Sequence, residues 1–275
     1  TAYNLPTDNS SYTIKVKAVD TTGNQSSQQT QTVELATRPL VINEIAWAGT
    51  SASRASDEWI EIFNPTTRAI NLASTTLISE TDGGPDIELS GTLLPKAYYL
   101  IERTDNDTIS DITASTTASF GSGLNNSGEV LALKKGDIVF DRTPTVASCG
   151  GWCGGSNSGS YPTMERYDFE TSGESSGNWS SFANILANGK NADNANIAGT
   201  PGKRNSINYF LDITGSSLTS SKTIKKANSP YLVTSEFTVQ NGVTMTVEPG
   251  VVIKFYNTSS SLKINGVLSA QGTVS

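Results

Sequence analysis

Two short apolar runs decide the reading of this chain: Leu40-Val-Ile-Asn-Glu-Ile-Ala-Trp47 and Asp57-Glu-Trp-Ile-Glu-Ile-Phe-Asn-Pro65, joined by the Gly/Ser/Ala loop 48–56. Each is rich in β-branched and aromatic residues, is too short for an amphipathic helix and is bounded by turn residues, so both are predicted to be strands. The carboxylates inside them, Glu44, Glu58 and Glu61, need an explanation, because strands this apolar bury at least one face. Further strands are expected at 75–79, 86–89, 97–102, 129–134 and 137–141, separated by turn clusters such as Asp82-Gly83-Gly84-Pro85 and Lys135-Gly136-Asp137. That spacing suits a β-sandwich.

Composition agrees and excludes several functions. The 275 residues hold no His and two Cys, with 19 Lys+Arg against 26 Asp+Glu for a net charge of −7. Without histidine there is no Ser-His or Cys-His pair and no His-ligated zinc, and two cysteines cannot supply four thiolates. A pI near 4.7 argues against a nucleic-acid backbone or an anionic membrane as partner. Ser and Thr make up about a quarter of the chain, which suits hydroxyl-rich β surfaces. No apolar run approaches the ~18 residues of a membrane span, so no membrane insertion is expected. The expected class is all-β, with helix confined to a turn or two around Ser181–Leu186, where Phe182, Ile185 and Leu186 have helical spacing.

Upstream, Tyr12 to Asp20 alternates at period two, Thr21-Thr22-Gly23-Asn24 supplies a turn, and the run Gln29 to Leu35 would pair back across it. The stretch YTIKVKAVDTTGNQS resembles the last two strands of a bacterial fibronectin type III or Ig-like module. Thr37-Arg38-Pro39 then reads as a linker, since Pro39 lacks an amide donor.

The central stretch is similar to bacterial lamin-tail domains, Ig-like sandwiches of exported and surface-attached proteins. The resemblance lies in INEIAWAGT (42–50), DEWIEIFN (57–64), GTLLPKAYYLI (91–101), GLNNSGEVLAL (123–133), TMER (163–166), Asn178-Trp179 and the closing GTPGKRN (199–205). Thr163 departs from the serine usual in that pattern, as does the Cys-bearing stretch 148–155. The resemblance implies a non-catalytic module, sometimes appended to nucleases or other hydrolases.

After Asn205, Phe237/Val239, Met245/Val247, Val251/Ile253/Phe255, Leu262/Ile264 and Val267 form brief apolar pulses between Asn241-Gly242, Pro249-Gly250 and Asn265-Gly266 corners. Short strands of this kind cannot bury a face alone and need neighbours stacked on them. From about Phe210 the stretch resembles the opening coils of right-handed parallel β-helix proteins, with a last coil that presents an open edge. The domain reading is therefore 1–38, the end of an Ig-like module; 39–205, a lamin-tail-like domain; and 206–275, the first coils of a parallel β-helix. We read the chain as an internal piece of a longer polypeptide, beginning at Thr1 without a signal peptide and continuing past Ser275; the alternative is a mature protein already processed at Thr1.

Paired carboxylates can do general acid/base work, but carboxylates half-buried in a sandwich normally bond to backbone amides or to an arginine, and Arg166 offers a bidentate fork to one of Glu44, Glu58 and Glu61. The residues expected to hold the fold are Asn43, Glu44, Glu58, Trp59, Glu61, Asn64, Arg166 and Trp179, with no catalytic residue. A core is expected from Trp47 or Trp59 with Ile42, Ile45, Ile60, Ile62, Leu100 and Leu131. Cys149 and Cys153 lie close enough along a Gly-rich loop to form a local disulfide that organises Trp152, with two free thiols as the alternative. The loop 104–111 presents Asp105, Asp107 and Asp111 at alternate positions, as calcium prefers, but lacks the glycine and terminal Glu of an EF-hand, so a solvated acidic loop is the default, with calcium the alternative and no metal or cofactor required. The expected function is that of a non-catalytic segment of a large exported bacterial surface protein, a spacer, attachment or adhesion unit whose partners are neighbouring modules and a cell-surface protein or glycan. The alternative is an accessory region of an extracellular hydrolase, a nuclease or polysaccharide-degrading enzyme whose active site lies elsewhere.

Overall fold

A computed structural model describes residues 11–34, 38–183, 186–208, 217–226, 229–256 and 258–272. Strands make up 36% of the chain and helix 6%, so the protein is all-β. The N-terminal hairpin pairs β1 (Ser11–Val16) with β2 (Gln29–Glu34) in antiparallel register from Ser11↔Glu34 to Val16↔Gln29. Its turn is fastened by Asp20 Oδ1, which accepts the amides of Thr22 and Asn24. Ile14, Val16 and Val19 are exposed. The first ten residues, Leu35 and Thr37 lie outside the described residues.

Two further sheets pack face to face around the main core. The larger contains β3 (Val41–Ala46), β4 (Trp59–Phe63), β9 (Tyr98–Arg103), β10 (Thr116–Ala118), β13 (Met164–Arg166) and β14 (Trp179–Ser181), in the order β10-β9-β4-β3-β13-β14. The smaller contains β6 (Thr75–Ser79), β7 (Asp86–Leu89), β11 (Leu131–Lys135) and β12 (Ile138–Arg142), in the order β12-β11-β6-β7, all antiparallel. A two-rung ladder of β5 (Ile70–Asn71) and β8 (Thr92–Leu93) sits beside them. The core between the sheets includes Ile42, Ile45, Ile60, Ile62, Leu77, Ile101, Leu131, Met164 and Trp47. Burying these side chains supplies the driving force, at roughly 25 cal/mol per Å² of apolar surface.

One expectation about this core is corrected. Of the two candidate tryptophans Trp47 is the one in this core, but Leu100 does not join Ile60 and Ile62; period-two alternation turns it, with Trp59, to the opposite face, where they pack with Ala46, Ile109 and Ile197. The larger sheet is thus covered on both sides, and every residue of β3 is buried. A bulge in β3 sets the pattern: Ile42 pairs with Ile62 and Glu44 with Glu61, leaving Asn43 as the extra residue. Ile42 and Ile45 can therefore face one core although three residues apart.

A second correction concerns helix. Ser181 belongs to β14, residues 182 and 183 are not helical and Leu186 has a positive φ of 53°, so the described residues of this stretch hold no helix; residues 184 and 185 lie outside them. The α-helical turn is instead Val146–Cys149, closed by Gly150 in the left-handed conformation.

The C-terminal part has another architecture. Strands β15 (Ser217–Leu218), β16 (Lys222–Ile224), β17 (Tyr231–Val233), β18 (Glu236–Val239), β19 (Thr244–Val247), β20 (Ile253–Phe255), β21 (Ser261–Ile264) and β22 (Val267–Ala270) pair only in parallel, as β15-β18-β21, β16-β19-β22 and β17-β20. The chain therefore visits three ladders in fixed rotation. Gly266 permits the close stacking, since a Cβ there would lie 2.2 Å from Val243 O. The interior holds Tyr231, Val233, Phe237, Val239 and Met245, whereas Phe255, Ile264, Val267 and Leu268 on the last strands are exposed. The anticipated start near Phe210 falls in 209–216, outside the described residues. Because β21 and β22 are each bonded on one side alone among the described residues, amides of residues 262–268 are expected to exchange with deuterium far faster than those of residues 60–63. Equal protection of the two segments would show that the last strands are not an open edge.

Candidate functional site

Each of three neighbouring strands carries a glutamate on the face away from the sandwich core. Glu61 of β4 is the register partner of Glu44 of β3, which is the partner of Glu165 of β13. All three are fully buried, in one row across the sheet. Burial and mutual repulsion push Glu44 well above the usual carboxylate range. Burial likewise raises Glu165 and lifts Glu61 to about 8.

The row is closed by residues 198–207. Glu44 Oε1 accepts the Thr163 hydroxyl at 2.6 Å and the Thr200 amide at 2.8 Å. Glu165 Oε2 accepts the Ser206 hydroxyl at 2.7 Å and the Ile207 amide at 3.1 Å. Glu61 accepts the Gly202 amide at 2.5 Å and the Asn43 side chain at 2.8 Å. Asn43 also donates to Asn205 Oδ1, and Asn205 donates back to Asn43 O and to Arg166 O. Gly199 allows this strap to lie flat, since a Cβ there would meet Glu44 Oε1 at 2.9 Å and Trp59 Cζ2 at 3.0 Å. The segment 199–207 is therefore a backbone strap whose amides, at Thr200, Gly202, Ser206 and Ile207, fasten onto the carboxylates.

Thr200 Oγ1 gives a proton count. It lies 2.8 Å from Glu44 Oε2 and 3.0 Å from Glu165 Oε1. A hydroxyl has one proton to donate, so it satisfies both oxygens only if one of the two carboxyls is itself protonated and donates to it. Glu165 Oε1 also accepts the Ser206 amide at 3.1 Å, so the crowding of Glu44 and Glu165 around one hydroxyl favours, together with burial, a proton shared within the row.

Arg166 is not bonded to any of these glutamates, contrary to expectation. Its guanidinium meets Asp141 of β12, with Nη1 2.5 Å from Oδ2 and both side chains 1% exposed. Nη1 also donates to Ile42 O, and Asp141 Oδ2 accepts the Ile42 amide. The ion pair thus replaces a ladder rung at the bulge and ties the two sheets together, with Trp179 stacked 5.5 Å from the guanidinium carbon. Glu58 has its own arginine, Arg103 at 3.0 Å, and accepts the Leu124 amide; burial lifts it to about 7. Asn64 joins its turn to the Leu93–Leu94 backbone by donating to both carbonyls.

Asp105, Asp107 and Asp111 do not converge. Asp105 Oδ1 takes the Asp107 amide and Asp111 Oδ1 takes the Lys190 amide, so these oxygens organise backbone. Among the described residues no group of three or more acidic, histidine or cysteine side chains could hold a metal ion. Cys149 and Cys153 are joined as a disulfide with Cα atoms 5.3 Å apart. Trp152 beside them stacks on Trp47 at 6.1 Å between ring centroids.

Sequence reasoning overlooked Asp141, Glu165 and Glu102. Glu165 repeats the oddity of Glu44, a carboxylate centred in a fully buried three-residue strand, between Met164 and Arg166 of TMER. It also overlooked a cleft of about 390 Å³ beside the row, lined by Phe63, Tyr98, Lys96, Tyr167, Phe169 and Asn208 among others. Phe63 lies 4.9 Å from Tyr98 and 5.9 Å from Phe169 between ring centroids, and Lys96 Nζ sits 5.2 Å from the Phe169 centroid.

No family model matches the chain. A stretch of 74 residues, 27% of the chain, is 40% identical to Protein bark beetle of Drosophila melanogaster, and covers 2% of that protein's length. The crystal structure of a DUF4876 family protein from Bacteroides thetaiotaomicron VPI-5482 matches at 13% identity over 72% of this chain and 82% of that one, with a TM-score of 0.35.

Proposed function

We propose that the chain is a non-catalytic segment of a large exported bacterial surface protein, acting as a spacer, attachment or adhesion unit. In this reading residues 39–205 are a lamin-tail-like module, preceded by the end of an Ig-like module and followed by the first coils of a parallel β-helix. The observation that carries it is the use made of the carboxylate row: its side chains are fastened to the strap that closes the sandwich, and no face of the row opens to solvent. A general acid needs a substrate within hydrogen-bond reach, which this burial denies. The rotation of the chain among three parallel ladders supports the coil reading, and the disulfide supports an oxidising compartment.

The test is to incubate labelled protein with isolated bacterial envelopes while following release of reducing ends and nucleotides. Retention on the envelopes without product is the expected result. Product release that falls in a Glu44→Gln variant would overturn the reading.

A further inference from the structure

The cleft beside the carboxylate row is held open by bonds that do not involve any ligand. Tyr167 and Phe169 are 44% and 37% exposed. Their loop is clamped from beneath: the Asp168 amide donates to Asn178 Oδ1 at 2.8 Å, and Arg166 donates from Nε to Asp168 O and from Nη2 to Thr171 O. Two aromatic rings are thus presented to solvent on a rigid loop, so their ordering cost is met before anything binds. Across from them Lys96 occupies left-handed backbone, with φ 57°, where a non-glycine residue is strained. Its ammonium donates to Pro65 O and lies over the Phe169 ring. Lys96, Arg166 and Arg204 line the cleft, Arg166 being neutralised by Asp141, and among the described residues no carboxylate lines it, in a chain of net charge −7.

A cationic edge beside a cluster of tilted aromatic rings, 32° between Phe63 and Tyr98 and 57° between Phe63 and Phe169, selects a ligand that has a carboxylate and an apolar ring face in one unit. Size then separates the candidates. A cleft of about 390 Å³ is near the small end of the ~300–1,000 Å³ range of ligand pockets, enough for one or two rings. A peptide adding itself as a strand would need a free sheet edge here, but Phe63 and Tyr98 already pair with each other in the β4–β9 ladder. Asn208, whose side-chain nitrogen donates to Arg166 O, has no donor on its oxygen among the described residues and offers it as an acceptor for a hydroxyl.

We propose that this cleft binds a carboxylate-bearing sugar ring of a glycan, with the ring's C–H face on Phe169 and Tyr98 and its carboxylate on Lys96. The proposal rests on the attachment reading above and supplies its ligand.

The full chain would be titrated by NMR and calorimetry with a disaccharide ending in glucuronate, and in parallel with the matched disaccharide ending in glucose. The expected result is binding of the acidic sugar, with amide shifts at Lys96 and at 167–169, and affinity for the neutral sugar at least about tenfold weaker. Lys96→Asn, which tolerates the left-handed backbone, should erase that preference, and Phe169→Ala should abolish binding; unchanged far-ultraviolet circular dichroism would show that both variants remain folded. Equal affinity for the two sugars, no binding of either, or saturable binding of an acidic peptide instead would overturn the proposal. Envelope retention by parent and both variants alike would leave the attachment reading standing without the cleft. Disaccharide binding without envelope retention would do the reverse.

Discussion

Arg166→Ala is expected to destabilise the protein by ~3–5 kcal/mol, because it leaves the Asp141 carboxylate buried without its partner. It also removes donors from Ile42 O, Asp168 O and Thr171 O. The comparison that gives this meaning is Arg54, which pairs with Asp193 at 2.6 Å but with side chains 38% and 47% exposed. Water and salt screen that pair, so Arg54→Ala should leave the urea midpoint unchanged. If the two variants unfolded alike, Arg166 would not be joining the sheets.

That contrast shows what could be read from the sequence. Strands Thr75–Ser79 and Asp86–Leu89 lie where period-two alternation put them, because each hides one face and shows the other. The alternation is weaker in β3, buried on both sides, so the bulge at Asn43 and the outward turn of Trp59 could not be seen. Arg166 was legible as a buried cation in search of an acid. Its partner was not, since Asp141 sits in a strand of Ile138, Val139 and Phe140 whose first two residues are exposed, and nothing local marks it as the buried member. The cleft escaped for a related reason: Phe63, Lys96 and Phe169 are far apart in sequence and meet only through the β4–β9 pairing and the clamp on the Asp168 loop.

Alkaline destabilisation is the second large effect. Glu61 goes from an ordinary 4.5 to about 8, and Glu58, Glu102 and Glu129 to about 7, each chiefly by burial. A carboxyl whose value is raised on folding binds more protons in the native state, so it stabilises fully below the unfolded value and loses that contribution as pH rises through the folded one. The window is therefore about pH 4.5 to 8, and the loss across it should be on the order of a few kcal/mol. Glu44→Gln is the discriminating variant. Its amide nitrogen can donate to Thr200 Oγ1, which then donates to Glu165, while its oxygen still accepts from Thr163 and the Thr200 amide. The substitution reproduces the protonated row. At pH 5 the variant should match the parent within about 1 kcal/mol, and at pH 8 it should be the more stable of the two, with a shallower pH dependence. A parent whose urea midpoint is flat or rises from pH 5 to 8 would show that the row stores no proton.

The mutual bonds between Asn43 and Asn205 join residues 162 apart in sequence, close to where the chain enters the sandwich and where it leaves. If the two ends are pulled apart, tension crosses from one side chain to the other and does not run through the strands between them. The sandwich then hangs beside the line of force as a pendant, and the first element to yield is the strap, peeled from its three glutamates one amide at a time. Extension would then release the short strap while the hydrophobic core stays folded.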